Sequence, residues 1–473
     1  MKEKLDYAQS AYKKDPAWAW LIFTLSSFFI LPEYISPFIL FIAFIIFKVQ
    51  WSKEKKKARV GTIGKIELCM MCYMMLSALW SDTIMDSIAM AALWFGMFLI
   101  QVMIFNLART KERIDTLLKS IVFGASMNGL LASLQIVSYM LYDREVIAKD
   151  WVLVTPFYKV LDKAVYSALP FKIMTNTFDD RASGFFSNPN LLAALLVISF
   201  PISIYLLINA KSKRNKVLYY AANILITCGI SATMSRAGCV IALGGWILLF
   251  VLLVKKSVRD LISVGIPAFA VLIASILTRY GLIFQDNDTA VTTIVGAATT
   301  GEARKSSATH FEIWQSVIDY LGDHIDVFLF GNGFGCEGTS NVLHSVYDLS
   351  KPHAHNFILE FWMEIGLIGV IFILAIIIMA VRRMVEINAD TTKKYSLMVC
   401  MTTSLLIFFG FGLTDYIFGS PKQIFMLMML LGLIQAIYYT YNGAEMKNFD
   451  DLKYALQRAF KNGSRKGKRV HLK

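Results

Sequence analysis

Charged residues are scarce in this sequence: they form 17% of its 473 residues, against about 25% in an ordinary soluble domain. Apolar residues make up 56% and the mean hydropathy is +0.55. The apolar residues form blocks close to 20 residues long with almost no charge, which is the length that crosses the hydrocarbon core of a bilayer. This composition excludes a series of soluble domains and predicts an all-α polytopic membrane protein.

Cysteine and histidine are also rare, with six of each. The cysteines are spread along the chain and predict no disulfide framework. Cys69 and Cys72 form a CxxC pair inside a predicted membrane helix, where packing is the expected role. Five of the six histidines lie in one segment, at positions 310, 324, 344, 353 and 355. Any acid–base chemistry is therefore expected there.

The hydropathy pattern predicts about twelve transmembrane helices. They are residues 17–32, 34–49, 65–80, 86–107, 117–141, 190–209, 217–234, 238–254, 261–278, 357–381, 395–414 and 422–441. With the N-terminus in the cytoplasm, 35 of the 47 Lys and Arg residues fall in inner segments, as the positive-inside rule requires. The sequence therefore predicts a multi-pass protein of the plasma (inner) membrane with both termini cytoplasmic.

The same pattern divides the chain into seven segments. These are a cytoplasmic N-terminus (1–16), helices one to five (17–141), an outer loop (142–189), helices six to nine (190–278), a large outer loop (279–356), helices ten to twelve (357–441) and a basic cytoplasmic tail (442–473). The tail is expected to bind anionic lipid rather than nucleic acid. The large outer loop contains an amphipathic run, Phe311, Trp314, Val317/Ile318 and Leu321, which predicts a helix lying on the outer leaflet or over the bundle.

The first chemical motif is His355-Asn356, followed after nine residues by Gly366-Leu-Ile-Gly369. His355 falls where the large outer loop meets the tenth helix. A neutral imidazole there is suited to act as general base for an alcohol nucleophile; the alternative is an interfacial histidine that caps the helix. The glycines are expected to let neighbouring helices approach closely. Glu360, one turn further on, is a candidate for orienting a partner.

Two outer arginines form the second and third motifs. Arg181 opens the run Arg-Ala-Ser-Gly-Phe-Phe-Ser-Asn-Pro-Asn190, in which Asn188-Pro189 predicts a helix start. Arg236 belongs to Ser-Arg-Ala-Gly238 in a tight outer turn; a snorkelling structural arginine is the alternative. Because guanidinium groups pair with phosphate oxygens bidentately, the two arginines are candidates to clamp a phosphorylated group.

Two further patterns predict no site. Gly331-Asn-Gly-Phe-Gly335 has no Gly-Lys-Ser/Thr after it, so a turn is expected rather than a phosphate-binding loop. His353 and His355 have no third metal ligand nearby in the sequence, so no metal site is predicted.

Together these motifs resemble the O-antigen ligase/O-antigen polymerase superfamily. The resemblance rests on His-Asn-x9-Gly-x-x-Gly at 355–369, Arg-x-Ser-Gly-x-x-x-Asn-Pro-Asn at 181–190, Ser-Arg-Ala-Gly at 235–238 and the run from Trp314 to Gly335. It implies a membrane glycosyltransferase of the GT-C type, whose large outer loop carries short helices. It further implies a polyprenyl-diphosphate-linked oligosaccharide donor, a glycan or cell-envelope acceptor, membrane lipid as surroundings, and no cofactor, metal or nucleic acid.

The same resemblance implies a role for each candidate residue. His355 matches the catalytic base, and Arg181 and Arg236 match residues that hold the diphosphate. Relatives often carry an arginine shortly before the tryptophan of the outer helix, where this chain has His310; Arg304 is the nearby substitute. The motifs leave open polymerase or ligase action, the sugar and the acceptor.

The alternative function is a secondary transporter or flippase of lipid-linked sugar. Such a protein needs ionisable residues or broken helices near the bilayer midplane. The first five predicted helices are nearly free of charge, and the distinctive polar residues cluster at the outer interface. The sequence therefore favours chemistry at the outer surface over passage through the membrane.

Overall fold

The computed structural model describes residues 15–31, 35–143, 145–146, 181–279, 301–349, 353–387 and 391–442, which contain helices and no strand. The helices are α1 Pro16–Ser27, α2 Ser36–Lys53, α3 Gly61–Ser77, α4 Ile84–Leu107, α5 Lys111–Asp143, α6 Pro189–Ile208, α7 Lys213–Ala232, α8 Arg236–Arg279, α9 Gly301–Asp323, α10 Ile325–Phe330, α11 Cys336–Tyr347, α12 Phe357–Val385, α13 Thr392–Gly412 and α14 Pro421–Asn442. The predicted all-α class is confirmed for these residues.

Eight helices are long and apolar enough to cross a membrane, judged by length and composition: α2, α4, α5, α6, the part of α8 from Arg236 to Lys255, α12, α13 and α14. The other predicted spans coincide with α1, α3, α7 and the second part of α8, which are too short or too polar for that criterion. The chain is thus a multi-pass membrane protein, and the number twelve stays a prediction.

Helix α8 folds back on itself. Its 44 residues would extend about 66 Å as a straight helix, yet the Trp246 and Phe269 ring centroids lie 5.9 Å apart. A Cβ on Gly265 would also overlap the Trp246 indole. The two limbs are therefore antiparallel, as the separate predicted spans 238–254 and 261–278 require.

Helix α12 is broken one-third of the way along. Ile365 and Gly366 have non-helical backbone angles, and Gly366 has a φ of +64°. The break exposes the carbonyl groups of Met363 and Glu364, which accept hydrogen bonds from the backbone N–H groups of Asn332 (2.7 Å) and Gly333 (3.0 Å). Gly366 thus serves a helix break and also the predicted close approach of a neighbouring helix, because a Cβ there would overlap the Leu329 carbonyl oxygen of α10.

Several residues that the sequence predicts on the cytoplasmic side form polar contacts with residues of neighbouring helices. Asp15 caps α1 and pairs with Arg113 of α5. Asp115 of the same helix accepts hydrogen bonds from Lys393 (2.5 Å) and the Tyr205 hydroxyl (2.9 Å). The motif residues His355 and Arg181 take no part in these contacts, and which end of the bundle faces the cytoplasm stays a prediction.

Helices α9 to α11 cover the end of the bundle that carries the motifs. Their core contains Ile313, Val317, Leu321 and Leu343, packed against Met363 of α12. The predicted amphipathic helix is present and lies over the bundle. Its buried face is centred on Ile313 and Val317, however, because Phe311 and Ile318 are more than half exposed.

Candidate active site

His355 lies in a tight turn that ends at the first residue of α12. It has a left-handed backbone conformation with a φ of +51°, which costs a non-glycine residue about 1–3 kcal/mol. Asn356 caps the helix by accepting from the backbone N–H groups of Ile358 and Leu359. The histidine is therefore held at a helix start by its neighbours and does not itself form the cap.

The peptide groups beside His355 are clamped from both sides. The Glu360 carboxylate accepts a hydrogen bond from the Ala354 N–H (2.5 Å), and the Trp314 indole donates to the Ala354 carbonyl (3.0 Å). Glu360 and Ala354 are fully buried. Glu360, predicted as an orienting residue, thus acts on the backbone next to His355 rather than on its imidazole.

The imidazole is oriented by Asp415, from the turn between α13 and α14. His355 Nδ1 lies 3.0 Å from Asp415 Oδ1, and the two side chains are 22% and 14% exposed. Burial opposes ionisation of Asp415, but the hydrogen bond from His355 and the positive charge available on His353 and His355 outweigh it, so its pKa is lowered. With Nδ1–H donated to an ionised Asp415, the unprotonated Nε2 of His355 can accept a proton.

Asp415 also connects His355 to Arg181. Its Oδ2 accepts from Asn190 Nδ2 (3.0 Å), and Asn190 Oδ1 accepts from Arg181 Nη2 (2.6 Å). Arg181 Nε donates to the Thr233 carbonyl (3.0 Å). A continuous chain of hydrogen bonds therefore joins a predicted phosphate ligand to the predicted base.

Arg236 is an exposed residue at the start of α8, three residues after the carbonyl that Arg181 binds. Ser235 accepts from the Gly238 N–H (3.2 Å) and so caps the helix. A Cβ on Gly238 would lie 3.0 Å from the Ala193 side chain of α6, which keeps this turn close to the 181–190 motif. The turn that carries Arg236 and the motif that begins with Arg181 therefore lie next to each other.

His310 of α9 stacks on His355, with ring centroids 4.7 Å apart and an interplanar angle of 16°. His310, at the position where the family resemblance led us to expect arginine, therefore lies against the predicted base. The side chain of Arg304, the other candidate at this position, lies outside the described residues. So do Asp179 and Asp180, which precede the Arg181 motif.

Three residues at this site have ligand atoms within 4.8 Å of one another: His353, His355 and Asp415. The sequence predicted no metal because no third ligand lay nearby in the chain. The fold supplies Asp415 from 60 residues away, so that reasoning does not hold.

The glycine-rich turn 331–335 packs against protein groups. Gly333 N–H donates to the Glu364 carbonyl, Phe334 N–H to the Ser77 hydroxyl (2.8 Å), and the Gly335 N–H is bonded to the Glu364 side chain. Gly331, Gly333 and Gly335 all have positive φ and leave no room for a Cβ. These contacts favour the predicted structural turn over a phosphate-binding loop.

Sequence reasoning gave Asp415 and Asn190 no part in the site. Asp415 belongs to none of the sequence motifs, and Asn190 closes the run in which Asn188-Pro189 predicts a helix start. The local sequence does not show either role, because each residue acquires it from a partner far away in the chain: Asn190 and Asp415 are 225 residues apart.

The family model described as O-Antigen ligase matches residues 221–374. This range contains Arg236, His310, His355 and Gly366, whereas Arg181 and Asp415 lie outside it. The match confirms the predicted resemblance to the O-antigen ligase/polymerase superfamily and supports a general role in polysaccharide biosynthesis. A comparison with curated proteins finds no match.

Proposed function

We propose that this protein is a membrane glycosyltransferase that moves a glycan from a polyprenyl-diphosphate carrier to an acceptor hydroxyl on the outer face of the plasma membrane. The match to the O-antigen ligase family supports this class of enzyme. The observation that carries the proposal is the chain of hydrogen bonds from Arg181 through Asn190 and Asp415 to His355. It links a group suited to phosphate with a group suited to proton transfer.

In the proposed reaction His355 is the general base. Its Nε2 accepts the proton of the acceptor hydroxyl as the oxygen attacks the anomeric carbon of the donor sugar. The bond from that carbon to the diphosphate oxygen breaks, and the polyprenyl diphosphate leaves with the electron pair. A single displacement of this kind inverts the anomeric configuration.

Arg181 and Arg236 are proposed to bind the diphosphate. A guanidinium presents a planar pair of donors to phosphate oxygens and stays charged at any working pH. The positive charge stabilises the departing group, which is where charge develops in the transition state. Because diphosphate is already a good leaving group, we propose that neither a metal nor a cofactor is needed.

The proposed partners are the lipid-linked oligosaccharide donor, an acceptor that is a second glycan or an envelope molecule, and the lipid bilayer. The polymerase mode extends one lipid-linked glycan with another, whereas the ligase mode transfers the finished glycan to a different acceptor. Both use the same donor and base, so the site is equally suited to either mode.

Purified protein supplied only with polyprenyl-diphosphate oligosaccharide tests the proposal, with His355→Ala beside the wild type. A ladder of longer lipid-linked products that the variant does not make identifies a polymerase. No ladder, but transfer after an envelope acceptor is added, identifies a ligase. Absence of both reactions, with labelled lipid-linked sugar changing leaflet in proteoliposomes, would contradict the proposal.

One observation in the early helices is the reason to test the transporter or flippase alternative. Glu67 of α3 is 1% exposed and hydrogen-bonded to Gln101 of α4, so the early helices do contain a buried acid. A buried ionisable residue in a membrane helix is a hallmark of transport pathways. The glycosyltransferase proposal expects Glu67→Gln to leave transfer intact.

A further inference from the structure

The backbone of residues 181–188, called here the 181–188 loop, runs among the transmembrane helices. Ala182 and Phe186 are fully buried and Ser183 is 5% exposed. Backbone N–H and C=O groups that are buried need hydrogen-bond partners from the protein. The partners of this loop are therefore part of what fixes its shape.

Gln135 of α5 binds both polar groups of one peptide residue in the loop. Its Oε1 accepts from the Gly184 N–H (2.8 Å), and its Nε2 lies 3.5 Å from the Gly184 carbonyl. Gln135 is fully buried. Gly184 has a φ of +58°, a conformation that glycine adopts readily, so the side chain of Gln135 holds a turn that few other sequences could form.

Asn128, two helical turns earlier on α5, binds the next residue. Its Oδ1 accepts from the Phe185 N–H (3.2 Å), while its Nδ2 donates to the carbonyls of Phe29 (3.0 Å) and Gly124 (2.9 Å). Both donors of the amide are thus engaged by backbone, which fixes the direction of the oxygen that faces the loop. Asn128 is 0% exposed.

Lys422 of α14 holds the loop from the other side. Its Nζ donates to the Phe185 carbonyl (2.7 Å) and lies 4.3 Å from the centroid of the Phe186 ring. The side chain is fully buried. Two helices that are distant in sequence, α5 and α14, therefore both hold Phe185, and each also holds one of its neighbours: Gly184 for α5 and Phe186 for α14.

The gripped residues lie between the two ends of the loop that enter the site. Arg181, at the start, and Asn190, just beyond the end, both belong to the chain that reaches His355. A shift of the loop at Gly184 would move the Arg181 guanidinium relative to Asp415. A displacement of about 1 Å at a binding group can cost about a hundredfold in rate.

We propose that Asn128, Gln135 and Lys422 are positioning residues that place the 181–188 loop, and through it Arg181, for binding of the donor diphosphate. This inference rests on the proposed function for its substrate, while the clamp itself is a property of the fold. The three clamp residues each hydrogen-bond to backbone groups of the loop. Their loss should therefore weaken use of the donor more than use of the acceptor.

Gln135→Met and Asn128→Leu test the clamp, because each removes the amide at similar side-chain size. Asn223→Leu is the matched control: Asn223 is also a buried amide on a long helix, α7, but it bonds to Ser203 and the Tyr219 carbonyl. Hydrogen–deuterium exchange of the peptide spanning 181–188 is the first readout. We expect about tenfold faster exchange or more in the two clamp variants and no change in the control.

Kinetics with polyprenyl-diphosphate oligosaccharide are the second readout. We expect kcat/KM for the donor to fall about tenfold or more in the clamp variants, with the acceptor KM nearly unchanged, while Asn223→Leu lowers thermal stability only. Unchanged exchange in the 181–188 peptide would overturn the clamp. Faster exchange with an unchanged donor kcat/KM would overturn the positioning role. A wild type without transfer activity would overturn the proposed function, whereas the exchange measurement needs no substrate.

Discussion

His355 and Asp415 are separated by 60 residues along the chain, yet Nδ1 of one lies 3.0 Å from Oδ1 of the other. The contact joins the turn before α12 to the turn between α13 and α14. In the neutral imidazole this contact favours the tautomer with the proton on Nδ1, which donates it to the Asp415 carboxylate in a hydrogen bond. Nε2 is then available to a substrate hydroxyl. The base and its orienting group therefore come from different loops, and correct packing of three helices is a condition for forming the pair.

Replacing the proposed base should remove activity without unfolding the protein. His355→Gln keeps a similar shape but cannot accept a proton, and a general base contributes about 10²–10⁴-fold to rate. We expect transfer in the purified-enzyme assay to fall by at least about a hundredfold. His344→Gln, at an exposed histidine of α11, serves as control. Equal activity in the two variants would remove His355 as the base.

Asp415→Asn should reduce activity and alter the pH dependence of stability. Because the pKa of Asp415 is lowered in the folded protein, its stabilisation is present above the unfolded pKa of about 3.9 and is lost as pH falls through the folded pKa. The deficit in melting temperature relative to wild type should thus be present above about pH 5 and shrink as pH falls below the unfolded pKa of about 3.9. A deficit that grows as pH falls below that value would contradict this role.

Arg181→Lys should restore only part of what Arg181→Ala loses. The guanidinium uses Nε for the Thr233 carbonyl and Nη2 for Asn190, and a lysine cannot reproduce that planar fork. Donor KM should be highest in the alanine variant and intermediate in the lysine variant. Arg214→Ala, at an exposed arginine at the start of α7, is the control. Full recovery with lysine would mean that charge alone is required.

Metal removal should leave transfer unchanged, although His353, His355 and Asp415 are close enough to share an ion. In the proposed reaction Asp415 is engaged by His355 and Asn190, and the arginines supply the positive charge. Dialysis against a chelator followed by the transfer assay checks this. Loss of activity that an added divalent cation restores would overturn the metal-free proposal.

Gly366→Ala should destabilise the protein strongly. Gly366 has a positive φ, and a Cβ there would overlap the Leu329 carbonyl, so the strained conformation and overpacking together should cost about 2–4 kcal/mol. Gly410→Ala is the control, since a Cβ at Gly410 of α13 meets nothing within 4 Å. Thermal unfolding in detergent should show a clear loss for the first variant and no loss for the second.

Hydropathy and charge predicted the class of fold because bilayer thickness and the positive-inside rule constrain the sequence directly. Each predicted span coincides with a helix or with one limb of α8. The break in α12 was not predicted. Gly366 lies in an unbroken apolar run, and its positive φ depends on the turn at Leu329 to Gly333, which is distant in the sequence.

For the site, the motifs predicted which residues carry reactive groups but not how they connect. His355 and Arg181 were predicted by their chemistry and by the resemblance. The sequence could not predict the roles of four other residues, because amides and lone acids near the membrane have many structural uses. These residues are Asp415, Asn190, Gln135 and Asn128. Their roles depend on partners that only the packing of α5, α6, α13 and α14 brings within reach.

The helix break at Gly366 makes the number of residues in the His355 motif structurally important. The first limb of α12 begins after the Asn356 cap and stops at Glu364, where the 331–335 turn binds its free carbonyls. One residue inserted between these fixed ends would rotate the histidine by about 100° around the helix axis. The imidazole would then face away from Asp415, so the number of residues between Asn356 and Gly366 is itself part of the geometry of the site.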